Sequence, residues 1–272
     1  MSNDPTSTTQ PDTVVLIHGL WMTARSWEYW VERYEARGLN VIASSWPGMD
    51  GDIDALRADT SGIDELGIEE ILDHYTKIVE GLERPPIIMG HSFGGAFTQI
   101  LIDRGFGAAG VAIDSAPLRG LLALPISTLR SSFPVLKNPA NRHRAVPLTA
   151  EEFHYSFGNT LTEEESAKVY ERYAVPGPGR VLFQGALANI NPNTPISVDF
   201  GNDVRAPLLL IAGGEDHVAP ESLNESNYKH YRHSDAVTEF KAFPGRSHFT
   251  VGQEGWEEVA DYALDWALKA AS

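Results

Sequence analysis

The segment Gly90-His91-Ser92-Phe93-Gly94 places a serine between two glycines in the pattern Gly-x-Ser-x-Gly. The apolar run Ile87-Ile88-Met89 leads into it, and Phe97, Ile100 and Leu101 recur at helical spacing after it. A strand that turns sharply into a helix at a serine is a nucleophile elbow. The turn strains the serine backbone and needs glycine where a side chain would strike neighbouring backbone. It also holds the hydroxyl beside the free N–H groups that open a helix. The 272 residues include no cysteine, so thiolate nucleophiles, disulfides and Cys-ligated metals are excluded. Covalent chemistry must use a nucleophile other than cysteine, and the Ser92 oxygen is placed to supply it.

A serine hydroxyl attacks only when a base removes its proton, and the usual base is a histidine oriented by a carboxylate. After such an elbow the chain order is Ser, then Asp or Glu, then His. Leu208-Leu209-Leu210-Ile211 runs into Ala212-Gly213-Gly214-Glu215-Asp216-His217, which puts Asp216 just past a strand's carboxyl end. His248 follows in the loop Pro244-Gly245-Arg246-Ser247-His248-Phe249, before the last helix. Asp114, after the run Val111-Ala112-Ile113, is the rival acid; Asp216 is preferred because it keeps the carboxylate in the last third of the chain with the histidine. Glu215 is expected to point elsewhere. His91, His217, His230 and His233 read as packed or solvated histidines, and His230-x-x-His233 has no third ligand spaced to hold a metal. The oxyanion of an acyl-transfer intermediate needs two N–H donors. Phe93, after the nucleophile, offers one, and Leu20, in the turn His18-Gly19-Leu20-Trp21 after the first strand, offers the second. Gly19 lets that backbone come close, and Gly19 and Trp21 are expected to border the substrate.

Positioning these groups on one rim requires a sheet. Val14 to Ile17, Val41 to Ala43, Ile87 to Met89 and Val111 to Ile113 are short apolar runs, and helical periods at Trp27, Trp30, Val31, Tyr34 and at Ile68 to Leu82 separate them. Strands buried on both faces and alternating with helices imply a parallel sheet built from right-handed crossovers. The rhythm breaks from Pro117 to about Asp203, where capping-box pairs Thr149/Glu152 and Thr162/Glu165 open short helices. It resumes at Leu208 to Ile211 and Val237 to Phe243 and closes with a helix carrying Trp256, Val259, Ala260, Ala263 and Ala267 on one face. The expected division is a disordered tail over 1–12, an α/β core over 13–116 and 204–272, and a helical cap over 117–203. Gly105-Phe106-Gly107-Ala108-Ala109-Gly110 matches a dinucleotide fingerprint but follows a helix and precedes a strand, the reverse of what phosphate binding needs.

Lys and Arg number 21 against 37 Asp and Glu, a net charge of −16 that disfavours nucleic acid and anionic membranes as partners. The polar first dozen residues lack the features of a targeting signal, and no apolar stretch reaches the roughly 18 residues of a membrane span, so a cytoplasmic location is expected. The Asn224-Glu225-Ser226 sequon has no secretory context.

With Ser92, Asp216, His248, the His18-Gly19 turn and the interrupting segment, the sequence from about Thr13 onward resembles the α/β-hydrolase superfamily, in particular its small esterase-like serine hydrolases. The resemblance implies a mostly parallel eight-stranded sheet flanked by helices, an inserted helical cap with the pocket beneath it, and no cofactor. Dehalogenases and epoxide hydrolases of this type carry an aspartate where Ser92 stands, which disfavours those activities. A carboxylic ester or lactone is the implied substrate, and the alternatives are carbon-carbon bond hydrolysis, perhydrolysis or lyase chemistry by the same triad, or a non-catalytic receptor. Leu118, Leu121, Leu122, Leu124, Ile126, Phe133, Val135, Leu136, Phe153, Phe157 and Phe183 are the apolar supply from which a hydrophobic pocket would be drawn. Monomer and homodimer both stay open.

Overall fold

The computed structural model describes residues 10–122 and 125–272. Most of the expected tail, and Leu124, lie outside the described residues. Six strands form one sheet: β1 (Thr13–Ile17), β2 (Asn40–Ala43), β3 (Ile87–His91), β4 (Ala109–Ile113), β7 (Leu208–Gly213) and β8 (Thr238–Phe243), in the order β2-β1-β3-β4-β7-β8. Every pairing in it is parallel. The expectation of eight strands is corrected: the chain has six apolar runs, and each became a strand. The remaining pairing, β5 (Ala145–Val146) with β6 (Gly177–Pro178), is a two-residue antiparallel ribbon outside the sheet.

Alternation along each strand supplies two cores. Val14, Leu16, Ile87, Met89, Val111 and Ile113 face α1 (Glu28–Glu35) and α10 (Trp256–Ala270), meeting Trp30 and Tyr34 from the first and Val259 and Ala263 from the second. Val15, Ile17 and Ile88 face the opposite way, toward α3 (Ile68–Glu80) and α4 (Phe93–Asp103). Both layers are apolar, as a sheet covered on two sides requires. A short α2 (Ile53–Ala58), capped by Asp52, forms within the Gly/Asp-rich loop that had no helical period to reveal it.

Between β4 and β7 the chain forms α5 (Ile126–Leu136), α6 (Ala150–Phe157), α7 (Glu163–Tyr173) and α8 (Gly179–Ala186). Both capping boxes are present, each threonine accepting the N–H three residues on while the glutamate accepts the threonine's own N–H. α5 contains Pro134, and α8 begins at Gly179, where a Cβ would lie 2.0 Å from the Asn141 carbonyl oxygen. α9 (Glu221–His230) lies between β7 and β8. Among the described residues no helix is long and apolar enough to cross a membrane.

Candidate active site

Ser92 sits where β3 ends and α4 begins, with φ 58° and ψ −120°. The glycines around it are steric necessities: a Cβ on Gly90 would come within 2.0 Å of the Gly94 carbonyl oxygen, and one on Gly94 within 2.1 Å of the Ile17 carbonyl oxygen. The strained turn is tied down, with the Ser92 N–H donating to Ile113 O at 2.9 Å and its carbonyl accepting from Ala116 N–H at 2.9 Å. Among the described residues, the non-glycine residues with positive φ are Trp21 (65°), Ser92 (58°) and Asp114 (46°), and they stand beyond the carboxyl ends of the neighbouring strands β1, β3 and β4. Strain of this kind concentrates where function overrides relaxation.

His248 and Asp216 form a fully buried pair, His248 Nδ1–H donating to Asp216 Oδ2 at 2.7 Å. The other carboxylate oxygen accepts the N–H groups of Val218 at 2.6 Å and Ala219 at 3.0 Å, which fixes the acid loop just past β7. Burial lowers His248 to about 3, so the ring is neutral with its proton on Nδ1. Its Nε2 is then an unprotonated lone pair, the form a general base needs, but it has no hydrogen-bond partner, so the bond to the Ser92 hydroxyl is not made in this structure. The His248 ring packs 4.6 Å from that of His91, the residue before Ser92, and 4.8 Å from Phe157. Glu215 is exposed, as expected, and His217 donates its Nδ1–H to the Tyr155 carbonyl at 2.8 Å.

Gly19 lies against the nucleophile, since a Cβ there would fall 2.7 Å from Ser92 Cβ. His18 holds this turn: one ring nitrogen, Nδ1, donates to Gly19 O at 2.9 Å while Nε2 accepts the Trp46 N–H at 3.0 Å. Burial lowers His18 to about 3 and keeps that neutral donor-acceptor form. The Leu20 N–H donates to no acceptor among the described residues. Phe93 opens α4, and the first N–H of a helix has no intrahelical acceptor. Trp21 is anchored by its indole N–H to Val146 O at 3.0 Å.

A cavity of about 180 Å³ opens onto Ser92, Trp21 and Phe93. Its other walls come from α5 and α8, through Leu129, Ser132, Leu136, Leu182 and Ala186. Of the apolar supply named from sequence, Leu136 lines the cavity; Leu122, Ile126 and Phe133 are exposed, and Phe153 is buried in packing behind it. Helical phase decides this, and the interrupting segment's phase was not legible from composition.

Three side chains around the pair take parts that the sequence reading did not assign them. His91 Nε2 lies 2.8 Å from His248 O; a carbonyl only accepts, so Nε2 carries the proton. Asn224, the sequon asparagine, is fully buried, accepting from Ser115 N–H and donating to Ala219 O, so it joins the β4 exit to the acid loop. Asp114 is fully buried, with Oδ1 accepting Gly213 N–H at 2.6 Å. Burial, then the Asp216 charge, pushes its carboxyl well above the ordinary range. Burial also raises Asp216, to about 7, against the pull of its two backbone N–H bonds. Asp216 accepts three N–H donors against one for Asp114, so of the two carboxyls Asp114 is the one that holds a proton.

The sequence from residue 14 to residue 262 matches the model of the Alpha/beta hydrolase family. No curated protein matches the chain in sequence. In structure it is similar to an extracellular alpha/beta-hydrolase from a Paenibacillus species, at 21% identity over 94% of this chain and 99% of that one, with a TM-score of 0.67. It is also similar to a pyrethroid hydrolase from Sphingobium faniae JZ-2, at 20% identity over 94% and 96% of the two chains with a TM-score of 0.66. The Paleococcus ferrophilus monoacylglycerol lipase, 19% identical over 97% and 96%, gives a TM-score of 0.65. With the matched region reaching from β1 into α10 and the sheet, elbow and strand order in place, the chain belongs to the alpha/beta hydrolase family.

Proposed function

We propose that the protein is a serine hydrolase of carboxylic esters or lactones with small hydrophobic acyl groups, using Ser92, His248 and Asp216. The observation that carries this reading is the strained Ser92 at the β3–α4 turn beside a His248 whose Nδ1–H is held by Asp216 and whose ring packs against the residue that precedes Ser92. Ser92 Oγ attacks the substrate carbonyl as its proton passes to His248 Nε2, and Asp216 stabilises the imidazolium. The N–H groups of Leu20 and Phe93 receive the oxyanion, each contributing roughly 3 kcal/mol in the transition state. Collapse expels the alcohol, protonated by His248. Water then attacks the acyl-enzyme with His248 again as base, returning Ser92 and the free acid. Every step uses groups of the chain itself, and the proposal needs no cofactor.

The substrate class follows from the cavity. Its walls are mainly apolar, and about 180 Å³ suits a short acyl chain or a single ring. Helices α5 to α8 act as a cap in this reading, with α5 and α8 forming the pocket roof. A fluorophosphonate probe is expected to label wild-type protein at Ser92, and Ser92→Ala is expected to abolish both labelling and turnover of short p-nitrophenyl esters. Folded wild-type protein that resists labelling would overturn the proposal, and turnover of a diketone in preference to esters would move it to carbon-carbon cleavage.

A further inference from the structure

We propose that Asp114 is a second acid for His248, a buried carboxyl held beside the triad that can accept the Nδ1–H in place of Asp216. The inference rests on the triad reading above and adds a positioning residue to it.

The geometry is specific. Asp114 follows β4, one strand from β7 and its Asp216, and the parallel register brings the two strand ends level: Ile113 pairs with Ile211. A carboxylate oxygen of Asp114 and ring nitrogens of His91 and His248 lie within 4.8 Å of one another. Asp114 Oδ1 is engaged by Gly213 N–H, but Oδ2 is buried without a partner. An orphaned carboxylate oxygen inside a core is costly, and structures retain such groups where a role compensates. The residue is moreover held at φ 46°, a conformation an aspartate adopts at a cost of order 1–3 kcal/mol.

The surrounding charges explain why two acids coexist. Asp216, His91, His248 and Arg246 are the titratable or charged groups around Asp114, with the Thr250 hydroxyl beside them. That hydroxyl donates to Ser247 O at 2.7 Å, and His91 donates its Nε2–H to His248 O, so neither supplies Oδ2 with a proton. The Asp216 charge raises the Asp114 carboxyl, so in this buried site the two do not both ionise and one holds a proton. Removing the charge on Asp216 lifts that repulsion. Burial, the larger cause, remains, so Asp114 releases its proton to solvent only as the pH rises, and its carboxylate then becomes the anionic neighbour of His248.

The test is a double-mutant cycle on ester turnover with the full-length enzyme. Asp216→Asn retains the acceptor for Val218 and Ala219 N–H, and Asp114→Asn retains the acceptor for Gly213 N–H. Loss of the triad carboxylate without a substitute costs about 10⁴-fold in kcat. With a second acid in place, Asp216→Asn is expected to lose only about 10- to 100-fold and Asp114→Asn about threefold or less, whereas the double variant falls by about 10⁴-fold. The residual activity of Asp216→Asn is expected to rise with pH along a limb missing from the double variant, because it requires ionised Asp114. A low-field proton resonance from His248 Nδ1–H is expected to survive in Asp216→Asn and vanish in the double variant. Asp216→Ala, which leaves room for His248 to move, repeats the cycle if Asp216→Asn does not fold. A loss of about 10⁴-fold from Asp216→Asn or Asp216→Ala alone, with fluorophosphonate labelling of wild-type Ser92 intact, overturns the inference and leaves the hydrolase reading standing.

Discussion

His91 donates its Nε2–H to the backbone carbonyl of His248 across 2.8 Å, so the variable position of the elbow holds the loop that carries the base. Burial lowers the His91 pKa well below that of a free histidine, which keeps the ring a neutral donor. Replacing it with Phe keeps the ring and removes the bond, leaving a buried carbonyl unsatisfied. His91→Phe is expected to lower stability by about 1–3 kcal/mol and kcat about tenfold with little change in KM, measured by urea unfolding and steady-state kinetics. Unchanged kcat would show that the loop needs no such tether.

Gly19 is expected to tolerate no side chain, because a Cβ would meet Ser92 Cβ at 2.7 Å and His91 O at 3.1 Å. The backbone that resists is the one offering the Leu20 N–H. Gly19→Ala is expected to retain native circular dichroism and lose about 10²–10³-fold in kcat, the amount one oxyanion donor supplies.

Stability is expected to fall on acidification. His18, His91 and His248 all have pKa values depressed by burial, so below about 6.5 the unfolded chain takes up three protons that the native chain refuses. Asp114 and Asp216 are raised and oppose this, since the native state holds protons there that the unfolded chain releases. Three against two leaves about one proton and a net loss of about 1.4 kcal/mol per pH unit near pH 5, smaller at pH 6 and steepening below pH 5 as the unfolded carboxyls also protonate. Urea unfolding across this range checks the slope, and a flat profile would contradict the assignments.

Leu136, at the end of α5, sets one wall of the cavity. Leu136→Ala is expected to shift the preferred ester toward longer acyl chains by two or three carbons, with each newly accommodated methylene contributing about 0.8 kcal/mol to kcat/KM. A series of p-nitrophenyl esters reads this directly, and an unchanged chain-length optimum would place the acyl group elsewhere.

The strands were legible because both faces of the sheet are covered, which writes each strand as an unbroken apolar run, as at Val14 to Ile17 and Leu208 to Ile211. Ser92, Asp216 and His248 were legible because the elbow and the strand ends constrain residue type and order. The eight strands came from resemblance, and the apolar runs themselves number six. His18, His91 and Asn224 act through neighbours distant in sequence, from 28 residues between His18 and Trp46 to 157 between His91 and His248, so no local pattern announces their parts, whereas Asp114 was visible as a second acid at a strand end. The cavity walls on α5 and α8 depend on helix phase in a segment where Pro134 and Gly179 break the periodicity.

The three positive-φ turns at Trp21, Ser92 and Asp114 leave the rim of the sheet as the least relaxed part of the fold. At such a position glycine is the more comfortable residue, and an inactive Ser92→Gly chain has less conformational tension to hold than the active one. Selection for heat resistance alone, without a requirement for turnover, would therefore erode this molecule first at its working centre, and a lineage that keeps serine there testifies to continued use of the reaction.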